Sequence, residues 1–292
     1  MKTPLNPSRA FTRTIMLGLL ITFPMLSSCA KLVTNTLIEP TVDNMQYQTD
    51  LDLVCEGSAA YLLMIDSMIT SKPANKDLLR VGSQAYIGYL SAIPECAISG
   101  ERLDTVAEKA RQYGTRLLAE LLPMEPGTDP DTFDQKLDRL GESRVPDLFW
   151  GTMAWLSWIQ TQQGSPASMA DLVTVEKLME RLLELDDEYQ SGAVHVFFGA
   201  YDATKPEMFG GDPKKSRRHF ERALQIGDRR FLLTQTTYAE TYARQSFNQI
   251  LHDRLLQEVL DFPLDEAPEY ALSNQIAKKK ARRLLDEDFF AE

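Results

Sequence analysis

The chain has little with which to do covalent chemistry. Its three histidines, His195, His219 and His252, are far apart in sequence, and its three cysteines are Cys29, Cys55 and Cys96. No HExxH, GxSxG, P-loop or paired CxxC occurs. Zinc hydrolysis, serine hydrolysis, nucleotide handling and ribbon-type metal binding therefore each lack their minimal residue set. No cofactor, metal site or catalytic constellation is expected, and the chain does not read as an enzyme. Strand signals are also missing: period-2 alternation is never sustained, and no Asn-Gly or Asp-Gly hairpin turn appears. Positive charge is short, with 31 Lys and Arg against 42 Asp and Glu and a net charge of −11. That balance repels phosphate backbones, so nucleic acid is not an expected partner. Long hydrophobic runs are absent apart from Ile15–Met25, which falls short of the ~20 residues a bilayer span needs. No membrane-spanning segment is expected after it.

What is present begins at the N-terminus. Lys2, Arg9 and Arg13 are the only charges of residues 1–28, and a short apolar stretch follows them. A basic start, a short apolar core and small residues at the exit describe an export signal. The exit Leu26-Ser27-Ser28-Cys29 resembles the bacterial lipobox. The resemblance implies cleavage before Cys29 and acylation of that residue, so that the lipid bilayer becomes a partner through the acylated cysteine. Each buried methylene adds about 0.8 kcal/mol, and several acyl chains together hold firmly. Ala30 rather than Asp after the cysteine favours the outer membrane, by resemblance to enterobacterial sorting. The expected localisation is the periplasmic side of the envelope, with 1–28 as signal, 29–46 as lipidated cysteine and tether, and 47–292 as the folded domain. In that oxidising compartment Cys55 and Cys96 are candidates for a disulfide. They flank the turn at Pro73 at similar distances, and a bridge or two buried thiols remain equal readings.

From residue 47 onward, apolar residues recur at three and four positions, which is the helical period. Leu51, Val54, Cys55, Leu62, Ile65 and Met68 follow it up to Ser71-Lys72-Pro73, where proline ends the helix. Further helices are expected at about 75–93, 103–122, 132–140, 147–162, 169–186, 192–203 and 213–226. Two more fall within 231–261, and a last one covers 269–290. Asp212 before Pro213 is a strong start, because its carboxylate caps free amides and proline suits the first turn. Helices of this length joined by short loops predict an all-α fold of antiparallel hairpins stacked as a tetratricopeptide-like α-solenoid. Phe220-Glu221-Arg222-Ala223-Leu224 fits the second helix of such a repeat, with an aromatic knob and a small alanine. The first-helix pattern is poorly kept, so the repeats read as degenerate.

Phe197-Phe198-Gly199-Ala200-Tyr201, Gly210-Gly211-Asp212-Pro213, Ser216, His219 to Ala223, Thr237-Tyr238-Ala239 and Tyr242-Ala243-Arg244 form a more specific set. Together with Leu255 to Leu260 and the helix Asn274 to Leu285, this run resembles the T component associated with TRAP transporters. The resemblance implies a periplasmic lipoprotein that pairs with the solute-binding subunit of a tripartite ATP-independent transporter. It also implies a homo-oligomer, a trimer, and a hydrophobic small-molecule ligand such as a fatty acid. It supplies no catalytic residue. The alternative class is a helical-repeat adaptor lipoprotein in envelope assembly or secretion.

Trp150, Trp155 and Trp158 are all the tryptophans of the chain. Trp155 and Trp158 share a helix face at i, i+3, and Trp150 lies to one side. With Tyr238 and Tyr242 they are the candidate ligand or partner surface, against the plainer reading that they fill hairpin cores. The basic run Lys278-Lys279-Lys280 with Arg282-Arg283 reads as the solvated face of a capping helix, or as a contact for anionic headgroups.

Overall fold

The computed structural model describes residues 44–96, 101–287 and 289–291, so Cys29 and the signal and tether up to residue 43 lie outside the described residues. Among the described residues every regular element is a helix. They are α1 (Leu51–Ser71), α2 (Lys76–Ala92), α3 (Glu101–Ala119), α4 (Pro130–Asp138), α5 (Val145–Thr161) and α6 (Pro166–Leu185). There follow α7 (Tyr189–Thr204), α8 (Pro213–Ile226), α9 (Leu233–Tyr238, continued by a π-helical turn Ala239–Ala243), α10 (Gln249–Asp261) and α11 (Ala271–Asp286).

The starts are capped as short polar side chains dictate. Asp50, Asn75, Asp129, Ser165, Asp212 and Asn248 each accept a hydrogen bond from a backbone N–H of the first turn they precede. Inside α7, Gln190, Ser191 and Gly192 take left-handed dihedrals, so regular helix begins only after Gly192. The sequence expectation of a start at 192 thus matches the backbone.

Helices pack in order: α1 on α2, α2 on α3 and α5, α5 on α6, α7 on α8, and α10 on α11. The tightest pair is α3 and α5. A Cβ on Gly114 would sit 2.6 Å from the Gly151 carbonyl oxygen and 2.6 Å from Ala154 Cβ. Only glycine permits that approach. Around this crossing lies a central core that includes Leu118, Leu148, Phe149, Trp155, Leu178, Met179 and Phe198. A second core joins α8 to α11 through Phe220, Leu224, Leu232, Tyr238, Leu256, Val259 and Leu284.

The last helix returns to the first hairpin. Ile276 of α11 packs with Leu51 and Ala92, and Gln275 donates to the Thr49 carbonyl at 2.9 Å. Lys279 pairs with Asp52 at 3.3 Å and Arg283 with Glu95 at 3.3 Å. Lys280 pairs with Glu240 at 2.6 Å, and Lys278 donates to the Leu260 carbonyl. The basic run expected to be a solvated face is therefore largely engaged with protein, because carboxylates on three other segments converge on α11. Arg282 alone of the five has no such partner among the described residues.

Helix α1 also differs from expectation. By length and composition alone it would be long and apolar enough to cross a membrane, at a mean hydropathy of 1.3. Leu62, Ile65 and Ile69 are buried, whereas Leu53, Leu63 and Met64 face solvent.

Candidate functional site

The five aromatic residues singled out in the sequence do not form one surface. Trp155 is buried in the central core and donates its indole N–H to Asp171 Oδ2 at 2.9 Å. Trp158 lies under the Arg111 guanidinium, 4.7 Å from the ring centre. Trp150 sits edge-on to Phe149 at 5.0 Å. Tyr238 and Tyr242 belong to the other core, 5.3 Å apart, with Tyr238 stacked on Phe220 at 4.5 Å. The Phe220 ring in turn occupies the space a side chain at Gly199 would need, 2.7 Å from its Cβ position. The sequence pattern pairs the Phe220 knob with Ala223; the small residue the ring packs against is Gly199. Cys55 and Cys96 are joined by a disulfide, Cα atoms 5.6 Å apart, beside the small cluster of Leu51, Ala92 and Ile276.

Two histidines meet between α7 and α8. His195 Nδ1 lies 2.8 Å from His219 Nδ1, and His195 Nε2 lies 3.1 Å from Asp187 Oδ2. A carboxylate only accepts, so Nε2 of His195 carries a proton. In the neutral ring Nδ1 is then bare and accepts from His219. The hydrogen bond from His195, followed by Arg222, holds the Asp187 carboxyl below its usual range. Burial, reinforced by His195, Lys215 and Arg218, pushes His219 down to about 4. These contacts tie α7 to α8 and to Asp187 just before α7. Among the described residues no group of three His, Cys, Asp or Glu is arranged to hold a metal.

A second polar knot links the first hairpin to α3. Asp66 Oδ1 accepts from Tyr86 at 2.9 Å and from Tyr113 at 2.6 Å, with Lys109 at 3.4 Å from its other oxygen. Burial first, then the bond to Asp66, raises both phenols above their ordinary range.

Concave surface lies at the two ends of the α10–α11 hairpin. At the connecting loop, an open groove of about 760 Å³ is walled by Tyr47, Phe262, Pro263, Leu264, Pro268 and Ala271, with Asp261, Asp265 and Lys278 at its edge. At the opposite end, a recess of about 300 Å³ is lined by His252, Asp253, Leu285, Glu287, Phe289 and Phe290, among others. Large apolar side chains also project from loops: Met208 and Phe209 stand exposed on a turn closed by Gly211 N–H donating to the Pro206 carbonyl. Sequence reasoning did not find these surfaces. The one signal it had was Phe247 immediately before the cap residue Asn248, an aromatic where a helix end usually carries glycine.

The comparisons with known proteins bear on the same span. The family model described as TRAP transporter T-component matches residues 47–290. A protein of Treponema pallidum (strain Nichols), described as an uncharacterized protein, is similar at 26% identity over 266 residues, covering 84% of this chain and 82% of its own length.

Proposed function

Since the chain belongs to the TRAP transporter T-component family, we propose that it is a membrane-tethered periplasmic lipoprotein that docks the substrate-binding subunit of a TRAP-type transporter. The observation that carries this reading is the extent of the family match, which takes in the helical domain from just before α1 to the residues beyond α11. Acylated Cys29 would fix one end of a tether of residues 29–46. Fully extended, that segment reaches at most about 60 Å. A partner held within that radius experiences a raised local concentration without any new contact. The helix pairs are read as degenerate tetratricopeptide-like hairpins, supported by the Phe220 knob against Gly199 and by Ala223 against Gly192. Self-association into a trimer belongs to the same reading, as does uptake of a hydrophobic ligand. The groove walled by Phe262, Pro263 and Leu264 supplies apolar surface for such a ligand. The chain works by binding, and none of its side chains is assigned a chemical step.

Affinity capture of the protein from its own envelope, with mass spectrometry of what accompanies it, tests the central part. Recovery of a TRAP substrate-binding subunit supports the proposal, and its consistent absence refutes it. Growth with labelled palmitate tests the tether separately: label should appear on the wild type and vanish in Cys29→Ser.

A further inference from the structure

The recess at the open end of the α10–α11 hairpin has three features that the packing of the fold leaves unexplained. The first is His252, only 2% exposed, whose Nε2 is buried with no hydrogen-bond partner among the described residues. Buried polar atoms are nearly always paired, because leaving one unpaired forfeits its hydration with no hydrogen bond in return. The other ring nitrogen, Nδ1, lies 2.9 Å from Asp253 Oδ1 and donates to it. In the neutral ring, Nε2 therefore offers a lone pair and calls for a donor.

The second feature is the rim. Phe247 is 79% exposed and Ile250, in the first turn of α10, 84% exposed, and the half-covered Leu285 and Phe289 line the recess. The Phe247 and Phe289 rings stand 6.4 Å apart, and Arg244 lies 4.7 Å from the Phe289 ring while bonding Glu287 at 2.8 Å. Leu285 and Phe289 thus wall a recess with a polar floor, and Phe247 extends that apolar surface beyond its edge.

The third feature is the backbone at Phe247. The Asn248 N–H donates to the Ala243 carbonyl at 2.8 Å, closing the end of the preceding helical turn, and Phe247 at the reversal has φ +49°. Glycine holds that position without strain, whereas a residue with a bulky side chain does not. The aromatic gains no burial in return, so folding alone gives no reason for it.

We propose that this recess and its rim are a docking site for a protein partner. The partner inserts one side chain with an apolar body and a donor tip, an indole or its like, onto Nε2 of His252. Protein is favoured over a free small molecule by size and exposure. The recess is at the lower end of the ~300–1,000 Å³ that small-ligand sites occupy, and the outer rim residues are too exposed for a ligand within it to cover. An anchor side chain in a pocket ringed by aromatic and aliphatic groups is how protein interfaces concentrate their energy. Charge complementarity sets the sign of the partner: Asp253 is half exposed at the mouth on a chain of net charge −11, so the opposing surface is neutral to basic. The partner of choice is the substrate-binding subunit, an assignment that rests on the functional reading above.

Two measurements on the purified full-length protein in detergent decide the matter. In the first, N-acetyl-tryptophanamide is titrated while the imidazole resonances of histidine-labelled protein are followed. The His252 Nε2 signal should move and saturate, and the variant Phe289→Ala, which removes one wall of the recess, should weaken that response at least about tenfold. An unmoved His252 signal, or equal affinity in the variant, overturns the site. In the second, the substrate-binding subunit is the probe and Phe247→Gly the single variant. Relief of the left-handed strain should raise Tm, while binding should fall at least about tenfold. A variant that melts higher and binds as well as the wild type contradicts the proposal. If the wild type ignores the subunit altogether, the functional reading fails, and the indole titration still decides the recess.

Discussion

In the central half of the molecule, α3 and α5 touch through glycine, so close that a single methyl at Gly114 would strike the facing backbone. In the C-terminal half, helices are spaced by the stacked rings of Phe220 and Tyr238 and clamped by ion pairs such as Arg229 with Glu258. The first arrangement leaves nothing to adjust. The second keeps rings, charges and a strained aromatic at its surface, together with both concave features. Close backbone packing thus characterises the first region, and ring and charge contacts characterise the second.

The comparison can be tested by substitution, beginning with the largest effect. Phe220 is fully buried as the knob of the C-terminal core, and Phe220→Ala should destabilise by about 4 kcal/mol in urea denaturation. A loss below about 1 kcal/mol would show that the C-terminal half does not depend on its rings. The disulfide closes a segment with a separation of 41 residues. Replacing Cys55 and Cys96 by serine should cost about 3–4 kcal/mol on the loop-closure account, measured as a shift in denaturation midpoint. Gly114→Ala should cost about 2 kcal/mol although alanine is the better helix former. Gly57 sharpens the point, because its Cβ position on α1 meets nothing within 4 Å. There the same replacement should stabilise by about 0.5–1 kcal/mol, so opposite signs at the two glycines would isolate close approach as the cause.

A separate effect concerns pH. His219 is held near 4 in the folded chain, against about 6.5 for an ordinary imidazole. The unfolded chain therefore takes up a proton that the folded chain refuses. Its contribution to stability is complete above about pH 6.5 and is lost as pH falls through 4. Tm measured between those limits should decline on acidification, and His219→Gln should flatten the slope. The depressed carboxyls of Asp187 and Glu287 act in a lower window, so the two contributions separate.

Much of the helical order was legible in the sequence, for local reasons. Pro73, Asp212 with Pro213, and Gly192 act through the backbone of their immediate neighbours, and the structure places helix ends beside them. Phe220 was legible as a packing aromatic from its own Phe220 to Leu224 pattern, whereas its contact with Gly199 on the preceding helix was not. The return of α11 onto α1 was not legible, since Lys279 and Asp52 are separated by nearly the whole domain and periodicity carries no information on such pairing. For the same reason the basic run looked solvated. Trp155 and Tyr238 are core residues of separate clusters, as the plainer of the two readings has it, but spacing within one helix cannot say which core a ring enters. The His252 recess was hidden because it is built from two segments that meet only in the fold.

The proposed function makes this chain a binding partner of a TRAP substrate-binding subunit. Sedimentation velocity of the full-length protein in detergent, mixed with that subunit at micromolar concentration, tests it most directly. Binding gives one faster boundary containing both chains, reduced by Phe247→Gly. Two boundaries that sediment as each protein does alone, whatever the proportions mixed, would contradict it.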